Sequence, residues 1–82
     1  MLAPGVTSVT STGGYALAVT FADGVRREVD LADEIGVGVF AALRDPALFA
    51  KVSVEGVGIG WPNGASLSPE FLYHDAKRAT RV

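Results

Sequence analysis

The stretch Tyr15–Leu31, Y-A-L-A-V-T-F-A-D-G-V-R-R-E-V-D-L, constrains the fold more than any other part of the chain. It holds the longest period-two alternation, and in a β-hairpin a slip of one residue sends every side chain to the opposite face. A two-residue loop at Asp23-Gly24 would set Phe21 against Arg26, Val19 against Glu28 and Leu17 against Asp30, which wastes the apolar face. A three-residue loop, Ala22-Asp23-Gly24, pairs Phe21 with Val25, Leu17 with Val29 and Tyr15 with Leu31. The other face then pairs Thr20 with Arg26, Ala18 with Glu28 and Ala16 with Asp30, which suits water. This register requires Gly24 at positive φ, where the absence of a Cβ removes the strain. Arg27 is its misfit: on the apolar face opposite Val19, it must snorkel over a sheet edge or pair with an acid of the following segment.

Around this hairpin the remaining elements fall in order. Val6–Ser11 is β-branched and ends at Gly13-Gly14, which reads as a strand. Ala32–Ile35 begins a helical turn with acids at its start, interrupted by Gly36 and Gly38. Val39, Phe40 and Leu43 share one face of a second helical stretch that ends at Asp45-Pro46, and Pro46–Phe49 forms another turn. Lys51–Trp61 reads as a second hairpin. Its two-residue loop at Glu55-Gly56 pairs Val54 with Val57 and Val52 with Ile59, although Glu fits a left-handed loop position poorly. Trp61-Pro62-Asn63-Gly64 is a tight turn. Ser68-Pro69-Glu70 starts a helix, with serine as N-cap and proline at its first position, and Phe71, Leu72 and Ala76 pack inward. No internal repeat of useful length is visible. The expected fold is α+β: a small antiparallel sheet of two hairpins plus an N-terminal strand, with short helices packed on one face. Residues 1–82 form a single domain, with 1–5 and 77–82 as frayed termini.

Composition narrows the function classes. The net charge is -2 and the sequence pI is about 5.1, so no global basic field draws the chain to nucleic acid or an anionic membrane. Zero cysteines exclude a disulfide framework, a thiolate metal site and a cysteine nucleophile. No apolar run reaches a membrane span, and the first residues lack the parts of a signal peptide, so the expected location is the cytoplasm. Apolar residues make up 49% of the chain. A domain of this size hides only about 60–70% of its unfolded surface, so that excess points to a protein partner or a homodimer.

Catalytic and cofactor readings find little support in the residues. His74 lacks the nucleophile and orienting acid of a catalytic histidine, and adjacent His74 and Asp75 diverge on a helix. Gly56, Gly58 and Gly60 resemble a nucleotide loop only loosely, since Trp61 and Pro62 stand where its glycine pattern would continue. Asp30, Asp33 and Glu34 flank a helix start, where negative charge is stabilised without a cation. Trp61 and Tyr73 could stack on a ring, but no lysine or arginine neighbours Trp61 to make the basic groove of a stacking platform. Arg26, Arg27, Lys77, Arg78 and Arg81 form one patch only if the tail folds back beside the first hairpin. The expectation is no catalytic residue, no cofactor and no metal, with Arg27, Phe40, Phe49, Trp61, Asn63 and Tyr73 as the candidate interaction surface.

Three segments carry a resemblance: V-T-F-A-D-G-V-R-R-E-V-D-L, then V-F-A-A-L-R-D-P-A-L-F-A-K-V-S-V, then G-W-P-N-G-A-S-L-S-P-E-F-L-Y. In order and spacing they resemble domain of unknown function 2442, a family of small bacterial proteins, from about Val9 to Tyr73. The chain departs from it at Ser66, where relatives commonly carry an acid. The resemblance implies an α+β fold and no established activity, and the settings of relatives, beside another short protein or fused to a helix-turn-helix domain, imply a regulatory or toxin-antitoxin role. The expected function is therefore a non-enzymatic interaction module. A nucleic-acid-associated regulator is the alternative, and a small enzyme ranks last.

Overall fold

The computed structural model describes residues 3–35 and 38–78. The expected break at Gly36, the side chain of Val39, the placing of Arg81 and the chain ends 1–2 and 79–82 lie outside the described residues. Strands β1 (Val6–Gly13), β2 (Ala16–Phe21) and β3 (Arg26–Asp30) come first. A 3-10 helix, Gly38–Arg44, and a one-turn α-helix, Pro46–Phe49, follow. Strands β4 (Ser53–Glu55), β5 (Gly58–Gly60) and β6 (Ser66–Leu67) then lead into a π-helical segment, Phe71–Asp75.

The class is α+β, but the strands form two sheets rather than one, β1-β2-β3 and β4-β5-β6, each antiparallel with neighbours in chain order. The single expected sheet fails because Ser66 and Leu67, which carry too little pattern to reveal a strand, fold back onto Gly60 and Ile59 and complete a second sheet. The Val6 N–H, donating to the Val57 carbonyl at 2.8 Å, ties the start of β1 to the second hairpin.

The first hairpin takes the three-residue loop. Leu17 lies opposite Val29, Val19 opposite Arg27 and Thr20 opposite Arg26. The Phe21 N–H donates to the Val25 carbonyl at 2.8 Å, and the Leu31 N–H to the Tyr15 carbonyl at 2.9 Å. Gly24 has φ 89°. The second sheet uses the same loop again. In Phe21–Val25 and in Trp61–Ala65 the glycine N–H closes the turn, on the Phe21 carbonyl at 2.9 Å and the Trp61 carbonyl at 3.1 Å. The Asp23 and Asn63 side chains accept from Val25 and Ala65 N–H at 3.0 and 3.1 Å. Gly64, at φ 93°, matches Gly24. A short acceptor side chain two residues before the returning strand, then a left-handed glycine, is enough to specify both loops.

The second hairpin corrects its expected register. Val54 pairs with Ile59 and Glu55 with Gly58, so the loop is Gly56-Val57, one position later than expected. Gly56 carries the positive φ, 58°, and Val57 does not. A glycine at the first central position with an ordinary second residue is the pattern of a II′ turn, which spares Glu55 the left-handed conformation. Val57 therefore leaves the strand for the loop.

The core gathers Val6, Leu17, Val19, Phe21 and Val29 from the first sheet with Leu31 just beyond it, and Ile59 from the second with Trp61 and Ala65 of its loop. Ile35, Leu43, Phe49 and Leu72 complete it from the helical and connecting segments. The apolar excess that points to a partner is largely taken up by the core. Leu17, Val19, Phe21, Ile59 and Trp61 are all buried, and among the described residues the exposed large hydrophobics are Val54 and Val57, 38% and 66% accessible. Tyr15, edge-on to Phe49 at 5.4 Å, also gives its hydroxyl hydrogen to the Arg44 carbonyl. The helical pieces are short but are pinned to the sheet in this way.

Described residues near the two ends also bond to the first hairpin. The Ala22 N–H donates to the Gly5 carbonyl at 2.8 Å. At the other end Arg78 forms an antiparallel bridge with Val29, and the Asp30 N–H donates to the Lys77 carbonyl at 2.8 Å. Lys77 and Arg78 thus lie along the outer edge of β3.

Candidate interaction surface

Three polar side chains meet where the first loop touches the last helical segment. Asp23 uses both carboxylate oxygens: Oδ1 accepts from the Val25 N–H at 3.0 Å, and Oδ2 accepts from the Tyr73 hydroxyl at 2.7 Å. Tyr73 is delivered by a start signal legible in the sequence, since the Ser68 hydroxyl oxygen accepts from the Phe71 N–H at 3.2 Å and Pro69 occupies the first helical position. The Tyr73 ring packs edge-on to Phe21, centroids 4.8 Å apart, and Leu72 beside it is buried. The hydroxyl is thereby aimed at Asp23.

Arg27, expected to snorkel or to pair with a following acid, meets an aromatic ring. Its guanidinium carbon lies 5.2 Å from the Tyr73 ring centroid, a cation-π contact, and its Nε is buried without a hydrogen-bond partner among the described residues. An aromatic face accepts the charge while the aliphatic stem covers apolar surface, which reconciles an arginine with an inward-facing position. His74 is exposed and stands edge-on to Tyr73 at 5.0 Å.

Electrostatically the cluster is settled at neutral pH. The Val25 N–H first, and the Tyr73 hydroxyl second, hold the Asp23 carboxyl below the ordinary value of 3.8. The same hydrogen bond, followed by desolvation, raises the Tyr73 phenol above 10.0. Both shifts lead away from neutrality, so the pair presents a fixed carboxylate and a fixed phenol.

Of the six residues expected at the surface, the structure brings Arg27 onto the Tyr73 ring and Trp61 against Phe49. Phe49 and Trp61 are corrected: both are core residues, 0% and 2% accessible. The Trp61 indole N–H donates to the Phe49 carbonyl at 2.9 Å, a buried bond that large apolar rings can support only inside the fold. Phe40 is half-buried against the same core. Asn63 is exposed and serves its own loop. Asp23 was missed as a site residue because its sequence neighbours mark it only as the middle of the three-residue loop, and Tyr73 reaches it from 50 positions away.

The acids after β3 are engaged within the fold. Asp30 Oδ1 accepts from the Ala32 N–H at 2.9 Å, and Asp33 lies 3.7 Å from the Lys77 ammonium. No group of three histidine, aspartate or glutamate side chains among the described residues is arranged to hold a metal ion. No described helix is long and apolar enough to cross a membrane.

Neither the curated proteins nor the solved structures contain a match to this chain. One family model does match, described as protein of unknown function (DUF2442), and it spans residues 6–78. Its span begins with β1 and ends at the Arg78 bridge, taking in both sheets and the Asp23, Arg27 and Tyr73 cluster. The chain therefore belongs to the DUF2442 family of proteins of unknown function.

Proposed function

We propose that the chain is a non-enzymatic protein-interaction module, regulatory or antitoxin-like in role, that meets its partner through the corner built from Asp23, Arg27 and Tyr73. The supporting observation is the stacking of Arg27 on Tyr73 with the phenol tied to Asp23. Arginine and tyrosine dominate the energetics of protein interfaces, and side chains already held in place lose little entropy on binding. The test is co-expression with the product of the neighbouring gene, read by light scattering of the purified material. A complex that forms with the wild type and is lost with a folded Arg27→Ala chain supports the reading. Failure to form a complex, or one indifferent to Arg27→Ala, removes it.

A second reading, a nucleic-acid-associated regulator, has one observation in its favour. Lys77 and Arg78 lie along β3, the strand that carries Arg26 and Arg27. The acids Glu28, Asp30 and Asp33 occupy the same strand and the turn beyond it, which cancels the field such a partner needs.

A further inference from the structure

The outer edge of β3 is filled by the chain's own C-terminal segment, and its manner of binding suggests a placeholder. Arg78 bridges Val29 in antiparallel register, and the Lys77 carbonyl accepts from the Asp30 N–H at 2.8 Å. These are strand-addition contacts of the kind an extended peptide makes with an exposed sheet edge, where main-chain hydrogen bonds supply affinity and side chains supply specificity. The charges are complementary too. The segment is basic at Lys77 and Arg78, while β3 and the turn beyond it carry Glu28, Asp30, Asp33 and Glu34. Lys77 lies 3.7 Å from Asp33.

The grip is light. Both partners of the Lys77–Asp33 pair are well exposed, 67% and 76%, and such pairs contribute little. Residues Lys77 and Arg78 are themselves exposed, so leaving the edge uncovers little of their own surface. The firmest hold on this part of the chain lies upstream, in buried Leu72 and in the Tyr73 bond to Asp23.

We propose that the β3 edge from Glu28 to Asp30 is a strand-addition site for a basic, extended segment of a protein partner, and that Lys77 and Arg78 occupy it as an internal competitor. The proposal rests on the reading of the chain as an interaction module and supplies the chemistry of its partner. Arg26 and Arg27, at the loop end of the same strand, set the polarity of the site. In the antiparallel register that Lys77 and Arg78 adopt, the first basic residue meets Asp30 and Asp33, at the end of the strand away from those arginines.

The probe is a fluorescein-labelled peptide with the sequence of residues 76–82, A-K-R-A-T-R-V, titrated into the full-length chain. Three proteins are compared: wild type, the double variant Lys77→Glu/Arg78→Glu, and that double variant with Asp30→Asn and Asp33→Asn added. In the double variant, amide exchange at Asp30 is expected to accelerate about tenfold or more, while exchange at Leu31, bonded to Tyr15, stays slow and certifies the fold. The peptide is expected to bind this variant at least about tenfold more tightly than wild type, to weaken with added salt, and to lose that gain when the two aspartates are neutralised. Equal binding to wild type and double variant overturns the proposal, because the tail then blocks nothing. Faster Asp30 exchange without peptide binding also overturns it, as does unchanged Asp30 exchange. Since the probe comes from the chain itself, failure with the neighbouring gene product leaves this result standing, and the reverse holds.

Discussion

Tyr73 donates its hydroxyl hydrogen to Asp23 over 2.7 Å, joining residues 50 positions apart and clasping the last helical segment to the first hairpin. The clasp has two pH limits. The Asp23 carboxyl is held below 3.8, so its contribution is complete above that value and is lost as pH falls through the depressed one. The Tyr73 phenol is raised above 10.0, so its contribution is complete below that value and is lost as pH climbs through the raised one. Tyr73→Phe should therefore lower Tm by a constant amount from about pH 5 to pH 9, and by progressively less in stronger acid and alkali. Thermal unfolding of both proteins across that range checks this. A Tm difference that keeps its mid-range size at the extremes would mean that the clasp does not hold the segment.

Two glycines are required for different reasons, and substitution separates them. A Cβ on Gly24 meets no atom within 4 Å, so only its φ of 89° resists a side chain. Gly24→Ala should cost about 1 kcal/mol, or about 4–8 °C in Tm for a domain of this size. Gly24→Asn should recover part of that, since asparagine tolerates the left-handed region. A Cβ on Gly58 would instead overlap the Leu67 carbonyl oxygen, which belongs to the paired backbone of β6 and cannot turn aside. Gly58→Ala should cost about 3 kcal/mol, with asparagine no better. Equal losses for the two alanine variants, measured by denaturant unfolding, would contradict the distinction.

The first hairpin was legible because Leu17, Val19 and Phe21 alternate with the smaller Ala16, Ala18 and Thr20, which fixes the register; the other face is drier than expected, with Ala18 buried and Glu28 and Asp30 half-buried. The second was legible in its faces but not in its register. Gly58 and Gly60 have no side chains with which to vote, so the preference of a II′ turn for Gly56 at its first position decided the pairing. The separate second sheet was hidden because a two-residue strand, Ser66–Leu67, has no period to read. At the candidate site, the awkward position of Arg27 was visible, yet its solution was not. Tyr73 reaches it from a distant segment, and no local pattern encodes that meeting.

His74 offers a control within the same cluster. Exposed and touching the outer side of Tyr73, it contributes no hydrogen bond to the clasp among the described residues. His74→Ala is expected to leave Tm and the binding of a partner unchanged within error, because the Asp23 to Tyr73 bond and the Arg27 stack survive it. Calorimetry of the variant, together with a binding titration, is the check. Loss of partner binding in a folded His74→Ala chain would move the recognition surface from Arg27 to the histidine.

Trp61 tests the architecture of the core. Its indole N–H donates to the Phe49 carbonyl at 2.9 Å, so one side chain fastens the second sheet to the end of the short helix Pro46–Phe49. Trp61→Phe retains an aromatic ring but removes the donor, leaving a buried carbonyl unpaired at a cost of about 1–3 kcal/mol, with a further loss for the smaller volume. Trp61→Ala should cost about 3–5 kcal/mol. Because the chain has one tryptophan, its emission reports this site alone. The wild type should emit at the short wavelengths of a buried indole and shift to the red in a single transition on unfolding, at the same midpoint as the far-ultraviolet circular dichroism. Red-shifted emission from the folded wild type would place Trp61 in water and return it to the surface, and a Trp61→Phe chain as stable as wild type would mean that Phe49 needs no partner.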